Sequence, residues 1–144
     1  MFRHEFEAFW VVPKSLVEDI HFRAQKGHND IYIFGGVELI GDLCAGILLN
    51  GDFNCRTGSL SLNFTLAGVG AIHRYCLGGP SHKDAGRYHE HFLQQPSDPR
   101  VNLPYAVRRD DLVNLNSTAA WRKICEEANI AHAGTFHEPE GYCR

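Results

Sequence analysis

Apolar and polar residues alternate strictly from Leu60 to Leu66, and this pattern limits the folds open to the chain. Successive side chains of a β-strand point to opposite faces, so the stretch predicts a strand with one buried face and one open polar face. Such half-buried strands are typical of antiparallel sheets that are covered on one side. The middle of the chain is therefore predicted to form an antiparallel sheet.

Further β signals flank this strand from about residue 29 to residue 92. Gly35-Gly36 predicts one hairpin, and Asn50-Gly51, a strong hairpin signal between apolar runs, predicts another. A strand from Ala71 to Leu77 is followed by a Gly-Gly-Pro turn, a strand that resumes at Tyr88, and a short strand at 105–107. We expect a twisted sheet of about five or six strands.

Helical signals lie towards both ends of the chain. The aromatic residues of positions 1–12 have roughly helical spacing, and Pro13 is well placed to open a helix that runs to about Gln25. A short helix is predicted for 108–115, and a clearer one for 118–129, with a cap at Asn116 or Ser117. The fold class is thus α+β, with residues 1–130 as a single domain and 131–144 as a loosely ordered tail.

Composition excludes several classes of protein. With 144 residues, 44% of them hydrophobic, the chain fits one globular domain, and its net charge of -3 gives no basic footprint for duplex DNA. No apolar run is long enough to span a membrane, and the N-terminus lacks a signal-peptide core, so a cytoplasmic location is expected. Five widely spaced cysteines then predict free thiols rather than a disulfide framework.

Histidines concentrate in one short stretch, and four of the nine in the chain are His73, His82, His89 and His91. The period of a strand places His89 and His91 on one face and Glu90 on the other. A loop histidine, His82, can complete a facial set of ligands, and His73 or Cys76 can add a fourth. This arrangement predicts a site for a single transition metal such as zinc.

Metal-free acid–base chemistry is the second hypothesis for the same stretch. Imidazoles that titrate near neutral pH can remove a proton from a ribose hydroxyl and return one to the leaving oxygen, while cationic side chains stabilise the phosphate. The site would then need no cofactor, and its substrate would be RNA. The candidate residues are His82, His89 and His91 as base and acid, with Arg74, Lys83 and Arg87 as phosphate clamps.

A non-enzymatic function is the main alternative. The histidines can equally occupy the solvated face of an edge strand, and the Gly-Gly-Pro segment can be a simple turn. The chain would then act as a binding or inhibitory protein that contacts a protein partner through its open sheet face or a strand edge.

The segment Leu77 to His82, followed by His89-Glu90-His91, resembles a family of small uncharacterised bacterial proteins. Members carry a strand that ends in Gly-Gly-Pro-x-His, a short polar loop, His-x-His, a Leu-Pro segment and a closing helix. The resemblance covers about residues 45–130 and departs in the proline-rich stretch between His91 and Leu103. It implies no established activity. The organisation is also similar to that of small toxins of bacterial toxin–antitoxin systems, which would agree with a ribonuclease-like hydrolase.

Overall fold

The chain forms an α+β fold in a computed structural model that describes residues 1–81, 83–93, 103 and 105–143. Within these residues, two α-helices accompany a seven-stranded antiparallel sheet in which each strand lies beside its neighbour in sequence. This confirms the predicted class and the helix towards each end, with more strands than expected. The strands of the sheet are β2 (Arg23–Ala24), β3 (Ile31–Glu38), β4 (Ile47–Asn54), β5 (Ser59–Leu66), β6 (Gly70–Leu77), β7 (Tyr88–Phe92) and β8 (Tyr105–Arg108).

The alternating stretch forms the centre of the sheet, as predicted. Leu49 of β4 pairs with Phe64 of β5, which pairs in turn with His73 of β6. Directly paired residues point to the same side of a sheet. We call the side that bears Leu49, Leu62 and Phe64 the apolar face, since all three are fully buried. The opposite side bears Ser61, Asn63 and Arg74, and we call it the polar face.

Helix α1 (Arg3–Val11) covers the apolar face. Phe6 and Phe9 are buried, and the Trp10 ring lies 5.4 Å from that of Phe64. The predicted C-terminal helix is confirmed as α2 (Ser117–Ala128), whose buried side chains include Trp121 and Ile124. The Asn116 side chain caps it by accepting a hydrogen bond from the backbone of Ala119.

The predicted helix from Pro13 to Gln25 does not form. Its residues instead make β1 (Lys14–Leu16) and β2, because β1 pairs in parallel with a C-terminal strand, β9 (Ile130–His132). The apolar spacing resembled one helical stripe, yet Val17 is exposed while Leu16 and Ile20 are fully buried. A partner more than a hundred residues away therefore overrides the local helical signal.

Both predicted hairpins are also wrong, because Gly35-Gly36 lies within β3 and Asn50-Gly51 lies within β4. Gly35 and Gly36 form a bulge in β3, between Phe34 and Val37, and Gly36 has a φ of +70°. Asn50 and Gly51 lie in the middle of β4. A Cβ at Gly51 would lie 2.6 Å from Phe34 Cε1 and 2.7 Å from the Ser61 carbonyl oxygen. Gly51 is thus required by close packing rather than by a turn.

We expect Gly51→Ala to lower the free energy of unfolding by about 2 kcal/mol, because the added methyl group overpacks the sheet against Phe34. Chemical denaturation monitored by circular dichroism measures the change. Gly68→Ala is unsuitable as a control, since Gly68 has a φ of +76°, whereas Gly35→Ala would meet only Asn50 Cβ at 3.8 Å. An equal loss in both variants would contradict the packing explanation.

The C-terminal residues differ from the predicted loose tail. Beyond β9, Phe136 bridges to Ile20, Pro139–Tyr142 forms a 3-10 turn, and Cys143 is joined to Cys55 by a disulfide. The prediction of free thiols is corrected for this pair, because the fold brings together two cysteines that are 88 residues apart. The short helix expected at 108–115 shrinks to a 3-10 turn, Asp110–Leu112.

Among the helices that the structure describes, none has the length and apolar character to cross a membrane.

Candidate metal centre

Strands β6 and β7 build the candidate site on the polar face. Cys76 pairs directly with His89, and Arg74 pairs directly with His91, so these four residues share one side of the sheet. The predicted alternation of β7 is present, with Glu90 on the opposite side. His89 and His91 are only 3% and 6% exposed. A solvated edge-strand location, one of the alternatives from sequence, does not describe these two side chains.

Backbone carbonyl groups fix both imidazoles. His89 Nδ1 lies 2.9 Å from the Gly86 carbonyl oxygen, and His91 Nδ1 lies 2.8 Å from that of Leu103. A carbonyl oxygen only accepts hydrogen bonds, so each Nδ1 carries a proton and donates it. In the neutral ring the lone pair then lies on Nε2. The two Nε2 atoms are 3.1 Å apart, with the ring planes inclined at 74°.

Cys76 lies beside this pair. Its Sγ and one nitrogen from each of His89 and His91 all lie within 4.8 Å of one another. Burial raises the pKa of the Cys76 thiol, while Arg74 and a hydrogen bond with Ser61 oppose the rise. The thiol is therefore protonated at neutral pH unless a cation replaces its proton.

Arg74 adds positive charge to the same face. Its Nε donates a 2.5 Å hydrogen bond to Asn63 Oδ1 on the neighbouring strand. Asp52 lies on this face as well, two strands from Cys76, in register with Ser61. Burial raises the pKa of Asp52, and the charge of Arg74 lowers it. Arg74 thus influences both Cys76 and Asp52, consistent with its predicted place beside the histidines.

His73 must be removed from the predicted ligand set. It pairs with Phe92 and therefore points to the apolar face, on the other side of the sheet from His89 and His91. Its Nε2 lies 2.9 Å from Glu90 Oε2, and Phe6 stacks on its ring. Burial alone would raise the pKa of Glu90, but His73 and Arg109 together lower it. His73 is a hydrogen-bonded core residue.

Arg87 is placed differently from its predicted role as a phosphate clamp. Its guanidinium donates to the carbonyl oxygens of Gly78 and Gly79, at 2.6 and 3.1 Å. These two hydrogen bonds stabilise the turn between β6 and β7. Gly78 in this turn has a φ of +79°, a conformation that suits glycine. Lys83 begins the 3-10 turn Lys83–Ala85. His82 lies outside the described residues, and its proposed role stays a prediction.

The sequence pattern favours the histidines over Cys76 as ligands, although Cys76 lies two residues after Arg74 and so on the same face of the strand. It could not identify the Gly86 and Leu103 carbonyl groups, because backbone acceptors leave no trace in residue type. These two carbonyls decide which nitrogen of each ring faces the site.

No protein-family model, curated protein or solved structure matched the chain. The resemblance to small bacterial proteins therefore stays a prediction, and the function is argued from the site alone.

Proposed function

We propose that the chain is a metal-dependent hydrolase in which His89, His91 and Cys76 bind one transition metal ion of the zinc class. The observation that carries the proposal is the 3.1 Å separation of the two Nε2 atoms while both Nδ1 atoms face carbonyl oxygens. The neutral rings each carry a lone pair on Nε2, and two such nitrogens at 3.1 Å are well spaced to bind one cation between them.

A metal ion suits this geometry well. Two nitrogen ligands at the usual Zn–N distance, seen at a tetrahedral angle, are about 3.3 Å apart, close to the separation of His89 and His91 Nε2. Metal-binding histidines commonly donate their other ring N–H to a carbonyl group, which fixes the tautomer and the ring orientation. Both rings already do so. The Cys76 thiol, which borders the pair, would lose its proton to become the third ligand.

The same distance argues against metal-free RNA cleavage by this pair. Such cleavage places a general base and a general acid on opposite sides of the reacting phosphate. His89 and His91 meet at 3.1 Å, which leaves no room for a phosphate group between their Nε2 atoms. A three-ligand metal site, in contrast, lowers the pKa of a bound water and makes it a nucleophile.

Arg74 favours an anionic substrate. Arg74 pairs in register with His91, and its charge opposes the rise that burial causes in the pKa of the Cys76 thiol. A cation in this place can stabilise the negative charge that develops on a phosphate or carboxylate during hydrolysis. We propose RNA phosphodiesters as the substrate class, with the metal-activated water as nucleophile and Arg74 as the electrostatic stabiliser.

Elemental analysis of the untagged protein, dialysed against zinc and then against metal-free buffer, tests the proposal. We expect the wild-type protein to retain close to one equivalent of zinc more than His89→Asn/His91→Asn. Asparagine is the matched replacement, since its amide N–H can still donate to Gly86 and Leu103 while Nε2 is removed. His4→Asn, at an exposed histidine, is the control and should retain the metal.

Cleavage of labelled RNA by zinc-loaded protein then tests the activity. We expect cleavage to stop in the double variant and to fall at least about a hundredfold in Arg74→Met without metal loss, as for removal of one electrostatic stabiliser. A zinc content equal to that of the wild-type protein in folded His89→Asn/His91→Asn would contradict the metal site. Metal binding without any RNA cleavage would contradict the proposed substrate class. The chain would then be a binding protein that a metal ion stabilises.

A further inference from the structure

Asp19, His21 and His137 form a separate cluster of potential metal ligands, away from the polar face of the sheet. Backbone hydrogen bonds hold the two contributing segments together, from Ile20 N to Thr135 O and from His137 N to Ile20 O. Ile20 is fully buried, so the alternation of extended chain directs Asp19 and His21 outwards on the same side.

Each of the three residues has one potential metal-ligand atom that takes no part in its described hydrogen bonds. Asp19 Oδ1 accepts from Thr135 N at 2.8 Å, which leaves Oδ2. His21 Nδ1 lies 3.2 Å from the Tyr142 hydroxyl, which leaves Nε2. His137 Nε2 is buried and has no hydrogen-bond partner in the part of the chain that the structure describes.

The donor atoms of Asp19 and His137 are too far apart for a direct hydrogen bond and close enough to share an ion. Asp19 Oδ2 and His137 Nε2 are 3.9 Å apart, too far for a hydrogen bond, and the cluster lies within 4.8 Å overall. A buried ring nitrogen that faces a carboxylate across such a gap calls for a bridging cation or proton. The lowered pKa of Asp19, whose largest cause is the Thr135 hydrogen bond, keeps this carboxylate ionised.

The neighbouring His132 does not belong to the set. Trp121 Nε1 donates to His132 Nδ1 at 3.0 Å, so the proton of the neutral ring is on Nε2, which donates to the Glu18 carbonyl at 2.8 Å. Both nitrogens of His132 are committed. The cluster is thereby reduced to two histidines and one carboxylate.

We propose that Asp19, His21 and His137 bind a second divalent first-row transition metal ion, such as zinc, independently of the Cys76 site. Two imidazoles and one carboxylate are a common ligand set for such ions. The His21 and His137 rings are stacked, with centroids 3.7 Å apart and planes inclined at 17°. Binding therefore requires the exposed His21 ring to turn about its Cβ–Cγ bond. The ion would fasten the C-terminal segment to residues 19–21.

Cobalt(II) titration followed by absorption spectroscopy separates the two sites. Cobalt at the Cys76 site gives a thiolate-to-metal charge-transfer band, whereas an all-nitrogen-and-oxygen site gives none. We expect two equivalents in the wild-type protein, one with and one without this band. His137→Gln should keep the charge-transfer band and lower the affinity for the other equivalent at least about tenfold. His28→Asn, at an exposed histidine outside the cluster, should keep both equivalents.

The exposed His21 offers a second variant if His137→Gln does not fold. His21→Asn should lose the same equivalent, and circular dichroism verifies that it is folded. Unchanged binding in folded His21→Asn and His137→Gln proteins would overturn the second site. Loss of only the charge-transfer band, in Cys76→Ser, tests the first site and leaves this inference unaffected.

Discussion

Cys143→Ser is expected to lower the free energy of unfolding by about 4 kcal/mol, the largest effect of any single substitution considered for this chain. The bridge from Cys143 to Cys55 joins residues 88 apart, and a cross-link of that length removes much of the conformational entropy of the unfolded chain. Urea denaturation of the oxidised wild-type and variant proteins measures the difference.

Reductant and a double variant provide the controls. Reduction of the wild-type protein should lower its stability to the level of Cys143→Ser, and Cys55→Ser/Cys143→Ser should lose no more than either single variant, because all three remove the same bond. A wild-type stability that does not respond to reductant would contradict the prediction. Disulfides persist in oxidising compartments and are rare in the cytosol. The disulfide therefore gives no support to the cytoplasmic location expected from the N-terminus, which stays a prediction.

The sheet could be predicted where one face of a strand is apolar and the other is polar. Leu60 to Leu66 alternates because one face is buried, with Trp10 of α1 against Phe64, while the other bears polar groups, and this asymmetry is visible in the sequence. For β7 the same period placed His89 and His91 together. Short-range rules succeeded at these strands because burial and local pattern agree.

The errors arose where distant contacts decide the structure. Pro13 and Gly27 resemble the two ends of a helix, but pairing with β9 makes the intervening chain extended. Gly51 follows an asparagine as in a hairpin, yet the side chain of Phe34 requires a residue without a Cβ there. Neither partner is near in sequence, so no local pattern reveals it.

The candidate site shows the same division. Strand period predicted which histidines share a face, but the side of the sheet to which His73 points depends on the register between β6 and β7. A bulge or a shift by one residue would have reversed it. Likewise, the sequence predicts a helix around His21 and a loose tail around His137. No sequence pattern therefore predicts that the two histidines lie together beside Asp19.

Lys14→Met is expected to lower the free energy of unfolding by about 3 kcal/mol at pH 7. Lys14 is only 2% exposed, and its Nζ donates to the carbonyl oxygens of Trp10, Val12 and Ala128, at 2.8, 2.8 and 2.5 Å. The ammonium group thereby joins the ends of α1 and α2. Methionine fills a similar volume but leaves three carbonyl groups without a donor, each at a cost of about 1 kcal/mol or more.

The pH dependence of this loss shows whether burial or the three carbonyl acceptors control the protonation of Lys14. Burial lowers the pKa of Lys14 from 10.5 to about 8, although the charge of Cys44 raises it. Between these values the unfolded chain binds more protons than the folded one, so the stability contributed by Lys14 rises with pH. The stability difference between wild-type protein and Lys14→Met should therefore be constant below pH 8 and increase up to about pH 10.5.

Urea denaturation at a series of pH values, with Lys26→Met as the control at an exposed lysine, measures this difference. The control should match the wild-type protein at every pH, because the Lys26 side chain is exposed to solvent in the folded protein. A difference that is constant through pH 8 and decreases only above about pH 10.5 would mean that the three carbonyl acceptors outweigh burial and hold the pKa of Lys14 above its usual value. The buried lysine would then stabilise the fold by its charge, and helix-end carbonyls alone would be sufficient to solvate an ammonium ion in this core.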